Sequence, residues 1–391
     1  MADASLLTGL GQLTPIVPET AELDIITRHD SRHVNLSAAR LTAAAQLPQH
    51  TDIVDEAIRS AQQKVGKGGN RKLVAMRAIE RLPVAFSKRI LQVIDGQVSV
   101  EVDGRLAFKR RTMIDKARTI IDLFEQAGID KARVLLKIPA TWEGIEAAKK
   151  LREKNGIQCH MTLVFGMHQV AASADAGATV IAPNVGRITD WFKKNDGVEG
   201  YEPQDDPGVK RAAEMHHYLR AHGYETLLMP STFRSEDQAL ALAGCDLLCL
   251  PPKLIDQLAN RQGGVDQTAL SDSPTDSEKL TIDQTTFDAQ HSDDQVSRSK
   301  LAAGVKNLSW AVVSQEKQLV DWIGQRQDQA AESSTLALFS TWDYDGDGFI
   351  DREEWNGTEA VFNALDRDNN GRISLEEMAA GLGAPYRPTE D

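Results

Sequence analysis

Lys137 is the side chain in this sequence best placed to do covalent chemistry. It follows the apolar run Val134-Leu135-Leu136 and precedes Ile138-Pro139. A charge there is out of place in a strand unless it points into a site. At the carboxyl end of a parallel strand it points to where α/β barrels do their chemistry. A lysine in a low-dielectric pocket can lose its proton near neutral pH and attack a carbonyl, forming a Schiff base. The iminium then acts as an electron sink for making or breaking a carbon–carbon bond. Carboxylates are needed to move protons, directly or through water. The ends of other expected strands supply Glu19, Glu101 and Asp103, with Ser37 and Thr162 as hydroxyls. Arg187, in the loop Asn184 to Arg187, and Arg234, beside Thr232, suit bidentate binding of phosphate. The bland alternative is a lysine that snorkels from a strand end.

A second chemistry is written at the other end of the chain. Asp343, Asp345, Asp347, Phe349, Asp351 and Glu354 stand at positions 1, 3, 5, 7, 9 and 12 of a twelve-residue stretch with Gly348 at 6. Asp366, Asp368, Asn370, Arg372, Ser374 and Glu377 repeat the spacing, with Gly371 at 6. Oxygen ligands at these positions, a carbonyl from position 7 and a bidentate glutamate at 12 are the pattern of an EF-hand calcium loop. The loops start 23 residues apart, and only the 11 residues Trp355 to Leu365 separate them. One helix is therefore expected to serve as exit for the first and entry for the second. Trp355, Val361, Phe362 and Leu365 would be its apolar face. Arg372 puts a positive charge beside the second loop and is expected to weaken it slightly. The cofactor expectation is Ca2+ at the EF-hands and none for catalysis.

The elements that must position Lys137 alternate strictly. Strands are expected at Ile16, around Val34, and near 100, 135, 162, 180, 227 and 248, with amphipathic helices between most of them. Helices are read over 6–10, 21–26, 52–65, 73–79, 85–93, 113–127, 145–154, 167–176, 209–221 and 238–243, several closed by glycine. Strand–helix alternation with short turns predicts parallel strands, and eight of them make a (β/α)8 TIM barrel. An open doubly wound sheet is the other candidate, but no Gly-x-Gly-x-x-Gly turn follows a strand. Polar residues 261–299 read as a surface excursion, and 301–323 as a helix. The expected organisation is a barrel with its C-terminal helix over 1–325, a linker over 326–336, a small all-α EF-hand pair over 337–382 and a tail over 383–391.

Composition agrees with a globular protein: 41% hydrophobic and 26% charged residues, and no apolar run long enough for a membrane helix. The net charge of −13 argues against nucleic acid. It is concentrated, since the last 51 residues hold 13 acidic and 4 basic side chains. Three cysteines without metal spacing suggest free thiols in a reducing cytoplasm. Cys245 and Cys249 read as small core residues.

Several stretches carry a resemblance to the transaldolase family. They are 98–106 (VSVEVDGRL), 135–144 (LLKIPATWEG), 161–165 (MTLVF), 182–191 (APNVGRITDW), Asp206-Pro207-Gly208 and Phe233-Arg234. The likeness runs over roughly residues 5–325. It implies a class I aldolase barrel of the pentose phosphate pathway. Lys137 would be the Schiff-base lysine holding a dihydroxyacetone unit from a ketose phosphate. Glu101, through a water shared with Thr162, would shuttle the proton, and Arg187 and Arg234 would bind the phosphate. The chain also departs from the pattern. Glu19 stands where the family has an aspartate that acts as acid and base. Gap-free alignment puts Ser37 at the family's substrate-binding asparagine, and Asn35 reaches that role only after a register slip. His160 replaces an asparagine, Ala182 a serine, Asn184 an aromatic and Thr232 a serine.

Two functions follow. The first is transaldolase transfer through Lys137, with Glu101, Glu19 and Thr162 as catalytic groups, Arg187, Arg234, Ser37, Thr232 and Asn184 on the substrate, and calcium loops attached. The second is an impaired or altered barrel that acts mainly as a calcium-binding protein. The expected partners are sugar phosphates, neither nucleic acid nor membrane, with a homodimer as a candidate assembly. The expected location is the cytoplasm.

Overall fold

The strand that carries Lys137 sits in the middle of a parallel sheet, and all six residues of Val134–Pro139 are buried. In this computed structural model the described residues are 5–29, 31–66, 70–266, 270, 278–343, 347–355 and 357–383, leaving out the side chains of 329–333. Eight strands lie at the expected places: β1 (Ile16–Pro18), β2 (Val34–Asn35), β3 (Val98–Glu101), β4 (Val134–Pro139), β5 (Gln158–Val164), β6 (Val180–Pro183), β7 (Leu227–Leu228) and β8 (Leu248–Leu250). β2 to β7 form one parallel sheet in chain order, and β1 pairs in parallel with β8. Main-chain bonds join the two sets: the Cys249 N–H donates to Pro230 O (2.9 Å) and the Leu247 N–H to Leu228 O (3.2 Å). Val17, Leu135, Val180, Ala182, Met229, Leu247 and Cys249 share one buried cluster. Residues from β1, β4, β6 and β8 can meet only if the sheet curls round on itself, so the architecture is an α/β barrel.

The helices depart from expectation in five places. The two helices read at 73–79 and 85–93 are one, Arg71–Ile90, which runs through Pro83. Burial of Ala78, Leu82, Ala85 and Phe86 along one side outweighs the hydrogen bond that proline removes. Ala38–Ala45, Val185–Asp196 and Pro252–Asn260 are helices that were not anticipated. Arg187 therefore belongs to the first turn of a helix and not to a loop. The segment 261–299 is not only a surface excursion. It holds the helix Gln284–Asp293, whose Phe287 is buried against Trp142 and His168, and Val296 packs with Leu163, Phe165 and Ile188. Its few apolar anchors lie too far apart in polar sequence to show as a period.

The final long helix spans Gln295–Trp342 without interruption, so the residues expected as a linker, 326–336, are helical. The chain divides into two compact units, one of residues 1–67 and 76–315 and the other of 68–75 and 316–391. In the second unit, β9 (Phe349–Asp351) and β10 (Arg372–Ser374) pair antiparallel with Ile350 opposite Ile373. Phe339, Ile350, Phe362, Leu365, Ile373 and Met378 make its core. The single helix between the calcium loops is short, Glu359–Leu365. Its core face is Phe362 and Leu365 with Trp355 packed alongside, whereas Val361 points outward, 49% exposed.

Candidate active site

Towards the carboxyl end of β4, Lys137 lies directly across from two neighbours. Glu101 of β3 lies opposite on one side and His160 of β5 on the other. The Lys137 ammonium, 5% exposed, donates to two acceptors: Glu101 Oε1 at 2.9 Å and Asn35 Oδ1 at 3.1 Å. The other Glu101 oxygen accepts the Ala38 N–H at 2.8 Å. That amide opens the helix Ala38–Ala45, so the carboxylate is fixed between a cation and the positive end of a helix. Burial by itself pulls the lysine towards its neutral form. The Glu101 and then the Glu19 carboxylates outweigh it and hold the lysine above its ordinary value. In the free protein Lys137 is thus a protonated amine beside the group that can take its proton.

These residues open into a cavity of about 210 Å³. Its walls include Glu19, Asn35, Ser37, Glu101, Lys137, His160, Thr162, Asn184, Arg187 and Thr232. Eight of the nine residues anticipated for catalysis and substrate binding therefore come together. Arg234 is the exception: it is absent from the lining, and its guanidinium grips Asp190, with Nη2 to Oδ2 at 2.7 Å. Arg187 is shifted downward first by burial and then by the charge of Arg234. The two guanidiniums thus act on each other electrostatically.

Ser37 lines the cavity as expected, and Asn35 lines it as well. Ser37 caps the helix Ala38–Ala45, its hydroxyl accepting from the Arg40 N–H at 3.3 Å. Asn35, on the inward face of β2, is the residue that meets Lys137. Gap-free alignment missed this because a side chain two positions earlier on an extended strand points to the same face. Sequence reasoning also missed the contribution of the long C-terminal helix. Asn307, Leu308 and Ala311 line the cavity, and Lys300 on the same helix is lowered by burial, with the charges of Arg187 and Arg234 acting in the same direction.

Two walls of the cavity are held in unusual backbone. Leu163 (φ 58°) and Thr232 (φ 59°) adopt the left-handed region that side chains avoid. Leu163 falls where the β5–β6 register shifts between Met161 and Val164. Such conformations cost on the order of 1–3 kcal/mol each and collect at sites that need a side chain re-aimed. Gly186 meets the Thr232 turn: a Cβ there would lie 2.3 Å from Thr232 O. Only glycine lets the Arg187 helix approach so closely. Two polar atoms of the lining, His160 Nε2 and Asn184 Oδ1, are buried with no hydrogen-bond partner among the described residues. His160 is held well below the ordinary histidine value, by burial and then by the Lys137 charge. Its Nδ1 lies 3.1 Å from Ser99 Oγ.

In the second unit the described residues of the second acidic loop bring carboxylates together. In the second loop, oxygens of Asp366, Asp368 and Glu377 lie within 4.8 Å of one another. The Asn370 and Gly371 N–H groups donate to the Asp366 carboxylate, each at 3.0 Å. Glu377 accepts from the Ser374, Arg367 and Asp368 amides at 2.9–3.3 Å. In the first loop, Asp343 Oδ1 is buried without a partner among the described residues, and Gly348 N–H donates to Oδ2 at 3.2 Å. Asp345 lies outside the described residues. An orphaned carboxylate oxygen and a converging oxygen set fit a hard divalent cation. Arg372 does not press on its own loop. Its guanidinium pairs with Asp347 of the first loop at 3.4 Å and lies over the Phe349 ring.

Comparison with known proteins finds two families along the chain. The profile of the family described as Transaldolase/Fructose-6-phosphate aldolase matches residues 37–319, and that described as EF hand matches 337–357 and 358–382. A transaldolase of Gloeobacter violaceus is 42% identical over 383 residues, 97% of this chain and 98% of its own length. One of Thermosynechococcus vestitus is 41% identical with 97% of each chain covered. A transaldolase of Rattus norvegicus is 38% identical over 319 residues, 81% of this chain and 94% of its own length.

Proposed function

The chain belongs to the transaldolase/fructose-6-phosphate aldolase family, and from that premise we propose how its own residues carry out transfer of a dihydroxyacetone unit between sugar phosphates. The observation that carries the reading is the buried Lys137 ammonium held by Glu101 and Asn35 at the floor of a cavity that also contains Glu19 and Arg187. Glu101 takes a proton from Lys137, and the free amine attacks the ketose carbonyl. The hydroxyl that leaves as water, once protonated, gives the iminium. Electron withdrawal into the iminium at C2 breaks the C3–C4 bond, one carbon further out, as a base removes the proton of the C4 hydroxyl. Glu19 serves as that base: it lines the same cavity and its charge acts on Lys137, which supports the assignment. The aldose phosphate departs, the three-carbon unit stays on Lys137, and a second aldose phosphate accepts it by the reverse sequence. Arg187 on the cavity wall, with Arg234 next to it, anchors the phosphate, and Thr162, Thr232 and Asn184 orient hydroxyls.

The EF-hand pair would hold Ca2+ through Asp343, Asp345, Asp347, Asp351 and Glu354, with the Phe349 carbonyl, and through Asp366, Asp368, Asn370, Ser374 and Glu377, with the Arg372 carbonyl. A bound cation offsets the mutual repulsion of these carboxylates and orders the loops. The barrel domain is taken as 1–325 and the EF-hand pair as 337–382. The protein acts in the cytoplasm without a catalytic cofactor, with a homodimer as the candidate assembly. Among the described residues no helix is long and apolar enough to cross a membrane.

Borohydride reduction in the presence of fructose 6-phosphate tests the reading. The expected result is a reduced three-carbon or six-carbon adduct that maps to Lys137, with transfer to erythrose 4-phosphate in a coupled assay. No adduct on Lys137 sinks the mechanism. An adduct without transfer favours the altered barrel that serves mainly as a calcium-binding protein.

A further inference from the structure

Behind the Lys137–Asn35 contact lies a second hydrogen bond. Asn35 Oδ1 accepts from Lys137 Nζ at 3.1 Å, while Asn35 Nδ2 donates to Cys249 Sγ at 3.3 Å. Cys249 sits on β8, is 1% exposed, and is held by its own N–H to Pro230 O. An amide side chain has two orientations of nearly equal shape. With the oxygen toward Lys137 it accepts from the ammonium. Turned over, it presents two N–H donors to a cation and loses the contact. Asn35 is 5% exposed, so little water is at hand to satisfy the flipped form. Among the described residues its side chain makes these two hydrogen bonds, one at each end of the amide.

We propose that Cys249 is a positioning residue: its sulfur fixes the Asn35 amide with the oxygen toward Lys137, and so aims the nucleophile. This rests on the Schiff-base reading above. The sulfur suits the task because it stays a neutral thiol. Burial, and then the charge of Glu19, push it up to about 12. An anion in the same place would add charge beside the Glu19 and Glu101 carboxylates. The sulfur is a weak acceptor, but it needs only to separate two orientations that are otherwise alike.

The test is a double-mutant cycle read by the rate of borohydride trapping with fructose 6-phosphate. Cys249→Val removes the acceptor at similar volume, and Cys249→Ala does so without added bulk. Each is expected to slow trapping on the order of 10-fold, the scale on which small misplacements act. Inhibition by inorganic phosphate is expected to stay unchanged, because the Arg187 region does not depend on this bond. Cys249→Ser, whose hydroxyl also accepts, is expected to recover most of the rate. In an Asn35→Ala background, Cys249→Ala is expected to add little, since both changes remove one linkage. The proposal is overturned if Cys249→Ala traps at the parental rate. It is equally overturned if that change costs the same factor with and without Asn35, because sulfur would then act by packing alone. Failure of the parent to trap at all would instead strike the Schiff-base reading, so the two failures are distinct.

Discussion

The cavity around Lys137 gathers residues from Glu19 to Ala311, while each calcium loop lies within twelve consecutive residues. In the loops the ligand spacing and the turn are the same fact. Gly348 and Gly371 take the positive φ values that the turn needs, and the short β9–β10 ladder ties one loop to the other. In the barrel no short stretch contains the site. Glu101 and Lys137 meet because β3 and β4 are neighbours in register, and Asn35 reaches them from β2. Local sites survive changes elsewhere in the chain. Non-local sites depend on every strand that frames them.

That contrast can be broken or sharpened by experiment. The largest effect is expected for Glu101→Gln, which removes the proton acceptor and the charge that holds Lys137. Turnover should fall by roughly 100-fold or more, as for loss of a general base. If steady-state turnover with fructose 6-phosphate and erythrose 4-phosphate is unchanged, Glu101 is not the group in question. Next comes Glu377→Gln in the second calcium loop. It should weaken Ca2+ binding by at least about 10-fold. Titration of metal-stripped protein would show it through Trp342 and Trp355, whose rings lie 4.7 Å apart in that unit. A response unaltered by the change would remove Glu377 from the ligand set.

A smaller effect separates the two regions by pH. His160 is lowered in the folded state from its ordinary 6.5, so below that pH the unfolded chain binds a proton that the barrel refuses. Stability should therefore be fully present above about 6.5 and fall as pH drops. Thermal melts of His160→Asn should lose part of that acid sensitivity, and equal slopes for variant and parent would remove His160 as its source. The smallest effect belongs to Arg372→Gln. An exposed ion pair contributes about 0–1 kcal/mol, so stability should barely move. Because the guanidinium sits on Asp347, the change should tighten the first loop and not the second. Calorimetry that finds the gain in the second loop would contradict the observed pairing.

Particular residues show how far reading the chain could go. Lys137 was legible because a charge at the end of an apolar strand has few structural reasons to be there. Most of the strands were legible from apolar runs bounded by helices, the two-residue strand at Val34 least so, and the acidic loops from spacing alone. Asn35 was not, since alignment by position cannot see which face of a two-residue strand points inward. Phe287 and Val296 were hidden among polar residues, and their burial needs partners far away in the chain. Pro83 marked a break that packing overrode.

Amino-acid order by itself determined the chemistry available to this protein: one lysine able to form a Schiff base, carboxylates and arginines at strand ends, and two oxygen-rich loops for a divalent cation. Those depend on residue type and short-range spacing. Only the tertiary structure decided who touches Lys137. It chose Asn35 over Ser37, set Cys249 behind it, docked Arg234 on Asp190 and brought Leu308 of the last long helix to the rim. Such contacts are fixed by sheet curvature, register and packing, and no short run of residues contains them.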